Sequence, residues 1–422
     1  MKIIVAAPPI NGETQPLLRT TRELVVRGHT VTFVGGSRFL PAARESGART
    51  VVWRGVADFD DRALTASFPG RDDVPPGPAQ LAFDFAHIFG DAIPDQWDTL
   101  QELLDEDENQ ALVANSLVLA AWGFALHAPG RHPSRWVAVG ANPLTLSSPE
   151  NTMLGPVPPE QGQDQRAANL AFNEIVRQGM EPTRKHIEGL LRGIGATGEV
   201  PTPLDGLATV PPAFASLSTH ALEFARADLP ATLRFVGPVR DRKAEGTVDD
   251  RVDAILAQGR PVVVVTQGTS ANTDLAQLVE PVLTGLAGTD VVVVAALGRP
   301  VEDLSIPLPG NAVAQEFIDF DALFPHAALL VTNGGFGGVQ LALAHGVPLV
   351  VAGGGEDKPL VAARVAGGGL GIDLRTATPT AQQVRNAVTT VLQDPAYRDA
   401  ATALIPVYAD LDAIGEIEKM LL

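Results

Sequence analysis

The apolar run Leu329 to Thr332 is of strand length and leads straight into Asn333, Gly334, Gly335, Gly337 and Gly338, and a helical stretch follows at once. A short continuous apolar run bounded by glycine suits a strand buried on both faces, so the segment predicts a strand-turn-helix unit of an α/β fold. Without side chains a ligand can approach the backbone closely. The first free N–H groups of the helix, with its dipole, then form an anion site suited to a diphosphate. The same glycines also serve a tight turn that binds nothing, and both readings stand on this segment alone.

The rest of the chain repeats the alternation. Lys2 to Ala7 reads as a buried strand, Pro16 suits the first turn of a helix running to about Arg27, and Thr30 to Val34 is the next strand, closed by Gly35 and Gly36. Val51 to Trp53, Ala111 to Asn115 and Trp136 to Val139 read as further strands, and Gln163 to Gly193 has a helical period. Arg234 to Val239, followed by polar Arg240 to Gly246, has the look of an interdomain linker. Apolar strands then resume at Pro261 to Thr266, Val291 to Leu297, Val313 to Glu316, Leu329 to Thr332 and Leu349 to Ala352. At 422 residues, two cores are expected. The predicted fold is α/β with two doubly wound Rossmann-like domains, 1–240 and 241–395, followed by a helical stretch 396–422, with ligands in the cleft between the domains.

Composition narrows the partners. A net charge of −18 with no basic stripe argues against nucleic acid and against an anionic membrane surface. The absence of cysteine excludes disulfides and thiolate catalysis. No apolar run approaches the ~20 residues of a membrane helix, and no leader peptide is evident, so a cytoplasmic protein is expected. No metal-ligand spacing occurs among the eight histidines. Neither a metal nor a cofactor is therefore expected.

The glycine segment and its surroundings resemble the nucleotide-sugar signature of family 1 glycosyltransferases, which have the GT-B fold. Asn333 to Gly338 stands where that family has a histidine, two small residues, an aromatic and a short polar pair. Gly346-Val347-Pro348, Asp357-Lys358 and the Gly369/Gly371 pair look like its Gly-Val-Pro, Asp-Gln and Gly-x-Gly elements. Thr266 to Thr269 resembles the hydroxyl-bearing loop after the first donor-domain strand, and Gly12 to Pro16 resembles the Gly-His-x-x-Pro or Gly-Asp-x-x-Pro acceptor loop.

This resemblance implies roles: 1–240 binds the acceptor, 241–395 binds the nucleotide-sugar donor, and 396–422 returns to the first domain. Phe317 stands where an aromatic stacks on the nucleobase, although an aromatic at a strand end also serves core packing. Thr269 would hold a phosphate. Asn333 replaces the usual histidine with a neutral amide, so the backbone of Gly334, Gly335, Gly337 and Gly338 must carry more of the diphosphate charge. Leu341 replaces a glutamate that many relatives direct at the ribose. Asp357 would accept hydrogen bonds from the sugar, or be a solvated loop acid. Lys358, in place of glutamine, would bind a hydroxyl or a sugar carboxylate, or pair with Glu356.

Glu13 is the candidate general base, because an attacking hydroxyl must lose its proton; the alternative is an acid that merely favours a helix N-terminus. The irregular, Phe-rich stretch from Phe59 to Trp97 suggests a lipophilic acceptor pocket with Phe59, Phe83, Phe85, His87 and Trp97 as lining, His87 being the second choice for the base. A dehydrogenase is disfavoured because Ala6 to Gln15 lacks the dinucleotide fingerprint. An epimerase of the same fold would not need the Phe-rich stretch, and the changes at Asn333 and Leu341 leave a non-catalytic partner protein as an alternative. The expectation is an inverting O-glycosyltransferase. It would take a UDP- or dTDP-sugar to a lipophilic small molecule such as a natural product, as in antibiotic biosynthesis.

Overall fold

Apolar side chains alternate between two faces along each central strand, and this fixes the layering. The computed structural model describes residues 1–107, 109–159, 162–240, 249–268, 272 and 274–422. Lys2–Ala6 (β1), Thr30–Gly35 (β2), Arg49–Val52 (β3), Gln110–Asn115 (β4), Trp136–Gly140 (β5), Phe214–Ser216 (β6) and Leu233–Phe235 (β7) form a sheet in the order β3-β2-β1-β4-β5-β6-β7. Val262–Thr266 (β8), Val292–Ala296 (β9), Ala312–Gln315 (β10), Ala327–Thr332 (β11), Leu349–Val351 (β12) and Gly371–Asp373 (β13) form a second, in the order β10-β9-β8-β11-β12-β13. All neighbouring strands are parallel.

On β1, Ile4 and Ala6 join one core while Ile3 and Val5 join the core on the opposite face. On β8, Val262 and Val264 face one way, Val263 and Val265 the other. Parallel sheets are stable when both faces are covered, which is why these strands read as unbroken valine-rich runs. Each sheet also reverses its strand order beside its first strand, between β1 and β4 and between β8 and β11. Loops leaving the strand ends there diverge and open a crevice.

The chain divides into two compact units: Met1–Thr219 with Ala225–Arg240 and Asp412–Leu422, and His220–Phe224 with Asp241–Leu411. The segment 220–224 is fastened to its unit by a buried Glu223–Arg364 ion pair (2.6 Å), with the Arg364 guanidinium 4.9 Å over the Phe224 ring.

Four expectations need correction. The return to the first unit begins at Asp412 rather than at 396. Ala401, Leu404 and Tyr408 belong to the second unit's core, and Arg398 donates to the carbonyls of Ala327, Ala328 and Gly346. Only the last helix, Ala413–Leu421, packs on the first unit, through Ala413, Ile414, Ile417 and Leu421. Secondly, Leu233–Phe235 is not linker but the edge strand β7; positions 241–246 lie outside the described residues.

The first helix starts at Asn11, not at Pro16, because the Asp61 carboxylate accepts from the Asn11 N–H (2.7 Å). Pro16 therefore sits inside the helix and leaves the Gly12 carbonyl without its usual i+4 donor. Finally, the stretch after Phe59 is not irregular throughout: Pro78–Phe83 is helical, Asp84–Gly90 is a π-helical turn, and Ile93–Glu106 is a helix.

Candidate active site

In the first unit, one carboxylate and two amides meet at the C-terminal edge of the sheet, where the strand order reverses. Glu13 lies in the first turn of Asn11–Val26 and is buried. Its Oε2 accepts from Asn115 Nδ2 at 2.7 Å and its Oε1 from Asn142 Nδ2 at 2.6 Å. Asn115 ends β4, and Asn142 follows β5. The Asn115 Oδ1 accepts from the Leu117 N–H (2.9 Å), which turns its amide N–H₂ toward Glu13. A carboxylate that accepts on both oxygens is oriented in its ionised form, the form able to take a proton. Neither asparagine stood out in the sequence, since an asparagine just past a strand reads as a turn residue.

The aromatic residues divide. Phe85 and Trp97 are core residues, their rings packed against Phe89 (5.8 Å) and Phe124 (4.8 Å), so they offer an acceptor little surface. Phe59 and Phe83 are only partly buried. Phe59 packs edge-on to Phe68 at 4.9 Å, between Asp58, which accepts from the Ser37 N–H, and Asp61, which caps Asn11. The segment that carries Phe59 is thereby tied to the loops following β1 and β2. His87 packs at a tilt against Phe83 (ring centroids 4.6 Å apart) and bonds Asp91 through Nδ1 at 2.9 Å.

In the second unit, the glycine segment forms the turn between β11 and the helix Phe336–Ala344. Its four glycines differ. Gly334 has φ +93°, and a Cβ there would lie 3.0 Å from Val351 Cγ1, so the fold itself requires glycine. A Cβ at Gly337 or Gly338 would meet nothing within 4 Å, and at Gly335 only the Asn333 Oδ1 at 3.9 Å. Packing gives no reason for three of the four glycines. The helix N-cap is Gly335, with no side-chain cap. Its first-turn N–H groups lack a side-chain cap, and the positive end of the dipole lies behind them.

Asn333 donates through Nδ2 to the Gln267 carbonyl just past β8 and accepts from the Gly335 N–H, pinning the two loops at the reversal between β8 and β11. Gln267 is buried and accepts the N–H groups of Leu278 and Val279. Thr269 lies outside the described residues. Phe317, two residues beyond β10, is 67% exposed, which removes the core-packing alternative.

Asp357 and Lys358 follow β12. Lys358 is buried and ion-paired with Glu356, and Gly353 lets its stem approach, since a Cβ there would meet Lys358 Cβ at 2.7 Å and the Asn333 carbonyl at 2.8 Å. Burial pushes the Asp357 carboxyl up to about 6, opposed by the Lys358 ammonium and reinforced by Glu356. Leu341 packs against the core and makes no polar contact through its side chain.

Comparison with known proteins gives the family. The family model described as the C-terminal domain of erythromycin biosynthesis protein CIII-like proteins matches residues 280–410. The chain is 34% identical to UDP-glycosyltransferase 2 of Phaeomoniella chlamydospora over 98% of this chain and 94% of that one. It is also 34% identical to 4'-demethylrebeccamycin synthase of Lentzea aerocolonigenes, over 98% and 97%. Among solved structures, the glycotransferase of kitacinnamycin has a TM-score of 0.76 at 23% identity, covering 100% of this chain and 99% of that one. The calicheamicin glycosyltransferase has 0.73 at 21%, covering 100% and 98%. The chain belongs to the family 1 glycosyltransferases of GT-B fold, enzymes that transfer a sugar from a nucleotide sugar. Among the described residues, no helix is long and apolar enough to cross a membrane.

Proposed function

We propose that this enzyme is an inverting O-glycosyltransferase acting on a hydroxyl of a lipophilic small molecule, with Glu13 as general base. The observation that carries the reading is the pair of amide donors that orient the Glu13 carboxylate at the reversal of the first sheet. The acceptor O–H proton passes to Glu13, the oxygen attacks the anomeric carbon, and the bond to the diphosphate breaks with its electron pair leaving on phosphate oxygen. One displacement inverts the configuration and needs a base and a stabilised leaving group.

The N–H groups behind Gly335, Gly337 and Gly338 and the amide of Asn333 face the diphosphate, with Thr269 as a further phosphate contact. Phe317 stacks on uracil or thymine, and Asp357 and Lys358 hold the sugar hydroxyls. Phe59, Phe83 and His87 line the acceptor side. A natural product is such a lipophilic small molecule, and the relative 4'-demethylrebeccamycin synthase supports this class of acceptor.

Glu13→Gln tests the base. It keeps shape and removes basicity, so kcat should fall by roughly 10²–10⁴ with nucleotide affinity unchanged. A variant within about threefold of the wild type, with chemistry rate-limiting, refutes the assignment.

A further inference from the structure

On the acceptor side of that site, folding sets His87 and Asp91, four residues apart, beside the distant His186. His87 lies in the π-helical turn Asp84–Gly90, Asp91 directly after it, and His186 on the long helix Gln165–Gly193. Asp91 receives His87 Nδ1 on one oxygen (2.9 Å) and His186 Nε2 on the other (2.6 Å). The ligand atoms of all three lie within 4.8 Å of one another. The side chains are 39–44% exposed, so an ion can reach them.

The juxtaposition is built by the backbone. A Cβ at Gly90 would come within 3.0 Å of the Phe85 carbonyl and 3.3 Å of Ile187 Cγ1, so glycine lets the long helix approach the turn. Thr183 Oγ1 adds a bond to the Ala82 carbonyl (3.2 Å). The His87 ring is steadied by Phe83, and the two imidazole rings are 5.6 Å apart.

We infer that His87, Asp91 and His186 form a zinc site. Two neutral imidazoles and one carboxylate are a nitrogen-oxygen set that suits Zn²⁺, and tetrahedral bonds of about 2.0–2.2 Å leave a fourth position for water. The present separations need only small side-chain rotations to close around an ion. Binding would displace the two hydrogen bonds to Asp91 and replace them by metal bonds, clamping the π-helical turn to the long helix. This ion takes no part in sugar transfer; it stiffens the wall that carries Phe83.

The test is calorimetric titration of metal-stripped full-length protein with ZnCl₂, with Co²⁺ absorption as a geometry probe and Tm as a third readout. One Zn²⁺ per chain, a tetrahedral Co²⁺ band and a Tm raised by a few degrees are expected. His186→Gln and Asp91→Asn should each weaken Zn²⁺ at least tenfold and abolish the Co²⁺ band. The amide introduced by His186→Gln retains a donor to Asp91, so the metal-free Tm of that variant reports the hydrogen bond alone and confirms folding. No stoichiometric binding by the wild type, or binding undiminished in both variants, overturns the inference.

Discussion

Asn115 Nδ2 donates to the carboxylate of Glu13 at 2.7 Å, joining the end of β4 to the first turn after β1. Exchange of that amide for an acid places two carboxylates in contact, and like charges at this distance raise the pKa of one of them. Asn115→Asp should therefore move the acid limb of kcat to higher pH, whereas Asn142→Ala should lower kcat with a smaller shift. A pH profile of Asn115→Asp superimposable on the wild type counts against Glu13 as the titrating base.

The two kinds of glycine in the turn after β11 should respond differently. Gly335→Val and Gly338→Val find open space, so Tm should stay near the wild type while UDP and dTDP binding is lost in calorimetry. Gly334→Ala forces a Cβ into a left-handed conformation against Val351 and should destabilise by about 1–2 kcal/mol. Equal loss of Tm in all three would mean that the whole turn is structural.

Phe317 touches solvent rather than core, so Phe317→Ala should leave Tm unchanged. Loss of base stacking is worth about 1–3 kcal/mol, or roughly 5- to 150-fold in nucleotide affinity. Undiminished UDP and dTDP affinity would move the base elsewhere.

Asp357 supplies a pH-dependent test. Its carboxyl is raised from 3.8 to about 6, so the folded state retains a proton that the unfolded state releases earlier. The favourable difference is fully present below about pH 3.8 and is lost as pH rises to 6, above which ionised Asp357 weakens the unliganded fold by up to about 3 kcal/mol. Asp357→Asn should accordingly match the wild type near pH 4 in urea denaturation and exceed it above pH 6. The same variant should bind UDP normally and the sugar nucleotide weakly. Identical stability curves across pH 4–8 would contradict this.

Much of the architecture was legible because doubly covered strands such as β8 and β9 must be apolar at every position, a pattern that needs no tertiary knowledge. The glycine turn was legible for the same local reason. The helix start at Asn11 was not, since its cap, Asp61, is fifty residues away in sequence. Asn115 and Asn142 gain meaning only from the strand order that sets them beside Glu13. His186 and Asp91 are ninety-five residues apart, so spacing rules could not connect them. Phe85 and Trp97 were misread because composition cannot distinguish an aromatic that faces a core from one that faces a ligand.

The return of Asp412–Leu422 bears on how the molecule is made. Ile414, Ile417 and Leu421 seal one face of the first sheet, and Glu418 ties down Arg27 and His29. During synthesis the β5–β6 end of that face stays uncovered until the entire second unit has left the ribosome. That end must wait, with Val137, Val139 and Ala215 exposed to chaperones or to other nascent chains, and a stalled chain lacking the last helix is a natural substrate for quality-control proteolysis.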